Sequence, residues 1–103
     1  NATLLTQLRL DQNQLSSIDL SGQSQAATIY VYSNNLSSID VSNNTLVTAL
    51  RLQNNNISAL DISNNSLINN LYADNNNLST SELDAIVNQL DAFGLSNGEL
   101  RIA

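Results

Sequence analysis

The chain has no cysteine, no histidine and no lysine. Without cysteine there are no disulfides, thiolate nucleophiles or thiolate metal sites, and without histidine the usual general base and the commonest zinc ligand are missing. Serine is plentiful, but a hydroxyl with no base beside it is not a nucleophile. The chain therefore reads as a non-enzyme that carries no cofactor. Three arginines stand against nine acidic residues, giving a net charge of −6. Phosphate-binding grooves need clustered cations, so nucleic acid and anionic membrane surfaces are poor partners. Only 12% of the residues are charged, and asparagine and serine supply the polarity instead. No apolar run approaches the roughly 20 residues that span a bilayer. The chain opens at Asn1 with no signal-peptide pattern, the expectation being a processed chain or a piece of a longer one.

What the sequence does contain is a repeat. Leu10, Val31, Leu52 and Ala73 form one column with a constant step of 21 residues, and so do Leu15, Leu36, Ile57 and Leu78. Constant period with apolar residues at fixed phases is the mark of a solenoid, whose units bury their apolar faces only against one another. The units run 4–24, 25–45 and 46–66, followed by a fourth from 67 that diverges after Leu78. Each holds an apolar–x–apolar triplet centred on Arg9, Tyr30, Arg51 or Tyr72. Alternation over so short a run predicts a strand with its middle residue facing out, and successive strands would pair in parallel. Asn13, Asn34, Asn55 and Asn76 fall where the chain leaves each strand. Amide side chains there would satisfy turn backbone and bond up and down the stack, so these four read as a structural ladder.

A second apolar pair follows in each unit (Ile18/Leu20, Ile39/Val41, Leu60/Ile62), enclosing Asp19, Asp40 or Asp61, with Ser21, Ser42 or Ser63 next. It should run along the opposite side of each coil. Unit two has Gln25 and Ala26 where Leu46 and Leu67, then Val47 and Ile68, stand later, so looser packing is expected there. After Leu78 the spacing becomes helical: Leu83, Ile86, Val87, Leu90 and Phe93 make one stripe. Ser79 with Glu82 fits a capping box and Gly94 a helix stop. A turn at Asn97-Gly98 and a strand over 99–102 complete the tail. The organisation is thus repeats over 1–78 and a C-terminal cap over 79–103, with its helix at about 81–93.

The triplet columns, read at Leu5, Leu8, Leu10, Asn13 and Leu15, resemble the leucine-rich repeat consensus. The continuations Ile39-Asp40-Val41-Ser42-Asn43-Asn44 and Leu60-Asp61-Ile62-Ser63-Asn64-Asn65 look like a short, 21-residue bacterial class of these repeats, Bacteroidetes-like and related to the internalin type. The resemblance implies a leucine-rich-repeat solenoid: a parallel β-sheet on one face, turns and short extended segments on the other, and a C-terminal helix and strand as cap. It also implies a secreted or cell-surface recognition or adhesion module that binds protein or glycan through the sheet face. The family's ligand positions vary freely, so no binding residue carries over.

Two columns could carry chemistry. All three arginines, Arg9, Arg51 and Arg101, and two of the three tyrosines, Tyr30 and Tyr72, lie at strand centres, and Tyr32 lies two residues along beside Asp11, Gln53 and Asp74. One reading is a cross-strand ladder on a solvated face. The other is a recognition surface at Arg9, Tyr30, Tyr32, Arg51, Tyr72 and Asp74, since Tyr and Arg dominate binding hot spots, with sugar rings stacking on tyrosine. The column Asp19, Asp40, Asp61 stacks like charges. Each carboxylate either accepts Ser and backbone N–H groups in an Asx turn, or shares a calcium ion with its neighbour. Paired carboxylates that cleave glycosides meet across a cleft at roughly 5–10 Å, whereas these recur on a regular ladder. The alternative function is structural, as a spacer or fibre unit that self-associates through the N-terminal end near Leu4 and Leu5.

Overall fold

The computed structural model of the chain describes residues 7–94 and 99–101. Strands β1 (Gln7–Arg9), β2 (Thr28–Tyr30), β3 (Ala49–Arg51) and β4 (Asn70–Tyr72) are followed by helix α1 (Thr80–Ala92) and strand β5 (Glu99–Arg101). The five strands form one parallel sheet in sequence order, β1-β2-β3-β4-β5. The register pairs Leu8 with Ile29, Leu50, Leu71 and Leu100 in succession, so the 21-residue step is the step from one coil to the next. Ile29, Leu50 and Leu71 are fully buried, and so are Val31, Leu52 and Ala73 two residues along.

Each strand stops after three residues for a backbone reason. Three positions beyond each strand end, Gln12, Ser33, Asn54 and Asn75 adopt φ of 60°, 60°, 63° and 57°. That left-handed conformation cannot continue an extended chain. Hydrogen bonding between coils nevertheless runs on past the strands. Val31 N–H donates to Arg51 O and Ser33 N–H to Gln53 O, with the same pair of bonds repeated at Leu52 and Asn54 one coil later.

The opposite side of the coil is built from turns. Leu20 O accepts from Gln23 N–H and Gln23 O from Ala26 N–H; the same two consecutive turns recur over 41–47 and 62–68. Among the described residues no strand lies on this side, and the second apolar pairs meet only through side chains. Leu20, Val41, Leu60 and Ile62 are buried, and Ile18 and Ile39 are half-buried.

The looser packing expected in unit two needs correcting at one of its two positions. Leu46 and Leu67 point outward, 41% and 50% exposed, so Gln25 in their column takes nothing from the core. The buried column is Ala26, Val47 and Ile68, each 2% exposed or less, and only the small side chain of Ala26 thins it.

Helix α1 lies one residue earlier than the spacing predicts. Ser79 is its N-cap, accepting from Glu82 N–H, and Gly94 at φ 77° follows its end. The capping box is only half made, because Glu82 Oε1 accepts from Leu60 N–H at 3.4 Å and ties the helix to the third coil. Ile86 and Leu90 are buried over the end of the core, whereas Val87, expected in the apolar stripe, is 44% exposed. The turn expected at Asn97-Gly98, and Ile102, Leu4 and Leu5, lie outside the described residues.

Candidate functional site

The asparagine ladder works through backbone. Asn55 Nδ2 donates to Leu52 O at 3.0 Å in its own coil and to Val31 O at 3.2 Å in the preceding one, while its Oδ1 accepts from Leu36 N–H. Asn34 and Asn76 repeat this pattern. The expected side-chain stacking is thus replaced by rivets from side chain to main chain, because each amide has its donor and acceptor facing carbonyls and N–H groups the turn leaves unpaired. Asn13, at the first coil, is exposed and, among the described residues, donates to Leu10 O and Asp11 O.

A second ladder escaped the sequence reading. Asn44 and Asn65 are completely buried on the turn side. Asn65 Nδ2 donates to Val41 O and Asn44 O of the preceding coil, as Asn44 Nδ2 does to Leu20 O and Gln23 O. One signal was available: the column Gln23, Asn44, Asn65 ends at Ile86, an apolar replacement that marks a buried phase.

The aspartate column forms Asx turns. Asp19 and Asp40 Oδ1 accept from the backbone N–H and the hydroxyl of Ser21 and Ser42, and Asp61 Oδ1 from Ser63 N–H at 2.9 Å. Among the described residues no group of three acidic, histidine or cysteine side chains is placed to hold a metal ion. The serine bonds hold all three carboxyls below the usual range. The hydroxyl contributes most at Asp19 and Asp40 and the backbone N–H most at Asp61; slight desolvation opposes this at all three, and repulsion from the aspartate one coil earlier opposes it less still at Asp40 and Asp61. A carboxyl depressed in the fold contributes stability above its unfolded pKa of about 3.9, and that stability is lost as pH falls through the folded value. The urea midpoint of the wild-type chain should therefore drop below about pH 4. In the triple variant Asp19→Asn, Asp40→Asn, Asp61→Asn that acid-side drop should be clearly shallower, and an identical drop would show that these turns contribute nothing.

The sheet face gathers the predicted Tyr and Arg residues. Strand register places Arg9, Tyr30, Arg51, Tyr72 and Arg101 side by side, and cation and ring alternate in contact. Arg9 and Arg51 lie 5.3 and 4.7 Å from the Tyr30 ring centre, and Arg51 and Arg101 lie 4.5 and 5.1 Å from that of Tyr72. Each such contact is worth about 0.5–1 kcal/mol at an exposed site, so the column stiffens the face it decorates. The guanidinium neighbours come from the strands on either side, so both faces of Tyr30 and of Tyr72 are covered. These two rings offer edges and hydroxyls and leave no face for a sugar to stack on. Tyr32 has one ring neighbour, Tyr30, at 6.3 Å and 53°.

Next to the ladder, the exposed Arg9 Nε meets the half-buried Asp11 at 3.5 Å, a near-surface pair of small energetic weight. At the centre, Arg51 Nε, Gln53 Oε1 and Asp74 Oδ1 are shielded from solvent with no hydrogen-bond partner among the described residues. A donor and two acceptors left this way are costly in the free protein. The predicted residues Arg9, Tyr30, Tyr32, Arg51, Tyr72 and Asp74 thus share one sheet face, and the three aspartates of the other column lie on the turn side. Two shallow hollows of about 200 Å³ also lie there, one bordered by Asp40, Ser42, Asp61 and Ser63 and the other by Leu60, Ile62, Ile86 and Gln89.

No helix among the described residues is long and apolar enough to cross a membrane. No protein-family model matches the chain, and no curated protein matches it. Among solved structures, the chain is similar to the functional domain of InlJ from Listeria monocytogenes, described as including a cysteine ladder. The match has a TM-score of 0.77 and 21% identity over 86% of this chain, which spans about a fifth (19%) of that one. With no cysteine, this chain has no such ladder, and buried asparagines join its coils instead. The parallel five-stranded sheet, the 21-residue coil and this likeness establish a leucine-rich-repeat solenoid.

Proposed function

We propose that the chain is a non-catalytic recognition module, a repeat segment of a secreted or cell-surface protein that binds another protein through its sheet face. The observation that carries this reading is the concentration of every arginine and every tyrosine of an acidic chain on that one face. Stacking on the rings beside them holds the guanidinium planes, so less side-chain entropy is lost when they meet carboxylates. Covered tyrosine faces favour protein over neutral glycan, with Tyr32 as the remaining platform for a ring. The likeness to the InlJ domain of Listeria monocytogenes supports reading the chain as a bacterial repeat module.

The experiment uses the immobilised chain to capture ligands from an extracellular protein fraction and from a panel of neutral and acidic oligosaccharides. The double variant Tyr30→Ala, Arg51→Ala should lose capture at least about tenfold, as expected for central hot-spot residues. Its circular dichroism should stay unchanged, and the turn-side variant Asp40→Asn, Asp61→Asn should bind as the wild type does. Equal capture by all three proteins would exclude the sheet face.

A further inference from the structure

The Arg–Tyr column spaces its charges evenly. Strand register sets Tyr30 between Arg9 and Arg51, and Tyr72 between Arg51 and Arg101, so successive arginines stand two strands apart. At roughly 4.8 Å per strand the backbone repeat is about 9.6 Å. The rings hold the side-chain tips to the same repeat. Tyr30 lies 5.3 and 4.7 Å from the guanidinium carbons of Arg9 and Arg51, and Tyr72 lies 4.5 and 5.1 Å from those of Arg51 and Arg101, which keeps each neighbouring pair of arginines within about 10 Å. Arg9 and Arg101 are exposed and Arg51 is half-buried.

The positive charge is confined to this one row. Two residues along on the same face, the row Asp11, Tyr32, Gln53 and Asp74 carries two carboxylates, and Asp11 meets Arg9 Nε. A broad acidic surface laid on the sheet would meet these acids as well as the arginines. A single anionic chain running across the strands, along the row, meets arginine at each charged position and the edge of a tyrosine ring between them.

The repeat also selects the conformation of such a chain. A polyproline II helix has three residues per turn and rises about 3.1 Å per residue, so every third side chain returns to one face after about 9.3 Å. An extended strand returns a side chain to one face at about 6.6 or 13 Å. An α-helix does so after seven residues, at about 10.5 Å. The polyproline II repeat therefore fits the arginines to about 0.3 Å per interval, several times better than the others.

We propose that the sheet face binds an acidic peptide in the polyproline II conformation, with carboxylates at every third residue meeting Arg9, Arg51 and Arg101. The assignment rests on the sheet-face reading above and adds to it the chemistry and spacing of the partner. Tyr30 and Tyr72 act as spacers that fix the interval between cations.

Fluorescence anisotropy on the wild-type chain tests this with labelled peptides of equal composition and charge. One is three Glu-Pro-Pro triplets in succession; the other has its three Glu side by side before the prolines, which points them to different sides of the helix. The spaced peptide should bind at least about fivefold more tightly, and added salt should weaken it. Arg51→Gln and Arg9→Gln, each checked by circular dichroism, should weaken the spaced peptide and shrink its advantage over the other. The proposal is overturned if the two peptides bind equally, if neither binds, if the spaced peptide binds both arginine variants as it binds the wild type, or if an oligogalacturonate of the same charge binds more tightly. In each of those cases the ligand-capture experiment with Tyr30→Ala, Arg51→Ala still decides the sheet-face reading separately, because it does not depend on peptide spacing.

Discussion

Replacing Asn55 with leucine should destabilise the chain by about 3 kcal/mol, although the new side chain is apolar and similar in size. The substitution leaves Leu36 N–H without its acceptor, and Val31 O and Leu52 O without the donor Asn55 supplies. These groups lie in the interior, where Leu36 and Leu52 are fully buried, so water cannot easily take the place of the amide. Each buried group left unsatisfied costs about 1–3 kcal/mol, and a domain of this kind has only about 5–15 kcal/mol to lose. The melting temperature should fall by about 10–20 °C at the usual sensitivity of a domain of this size. Asn13→Leu provides the comparison. Asn13 is exposed and, among the described residues, bonds within its own turn, so its loss should cost no more than about 1 kcal/mol. Equal destabilisation at the two positions would mean that the bonds between coils are not what the ladder contributes.

The second large effect separates two leucines four residues apart. Leu50 is fully buried at the centre of β3, whereas Leu46 is 41% exposed on the turn side. Leu50→Ala removes a side chain packed between the strands on either side and leaves a cavity the flanking coils cannot close, costing about 3–5 kcal/mol. Leu46→Ala should change stability by no more than about 0.5 kcal/mol, as surface substitutions do. Urea denaturation of both variants settles the phase of the repeat. A large loss at Leu46 with little at Leu50 would require the coil to be turned relative to the register described.

The contrast between these leucines shows where the sequence is informative and where it is not. The triplets at Leu8, Ile29, Leu50 and Leu71 are legible because an outward-facing residue separates two apolar ones, and period-two alternation has one meaning. Leu46 and Val47 are both apolar, so no alternation says which of them faces the core. The same limit applies to Val87, which shares a helical stripe with Ile86 and Leu90 but lies at its exposed margin. Asn55 is legible as structural because a polar residue recurs at a fixed phase beside a buried column. Its partners are not legible, since bonding to main chain or to a neighbouring side chain depends on where the preceding coil lies. Asn44 and Asn65 were hidden among polar neighbours that read as an ordinary turn. At the sheet face, the alternation of Arg and Tyr is visible in the sequence, but the covering of both faces of Tyr30 and Tyr72 follows only from the distances between strands. That covering moves the expected chemistry from sugar stacking toward paired guanidinium contacts.

The most direct test of the recognition surface is amide chemical-shift mapping on the isotope-labelled chain, titrated with the partner that the immobilised chain captures. The largest shifts should fall on β1 to β4 and the residues just beyond them, centred on Tyr30, Tyr32, Arg51, Tyr72 and Asp74, with little change at Asp19, Asp40 and Asp61. Shifts confined to the aspartate turns and the surface around Leu46 and Leu67 would contradict the account and place the binding site on the opposite side of the solenoid.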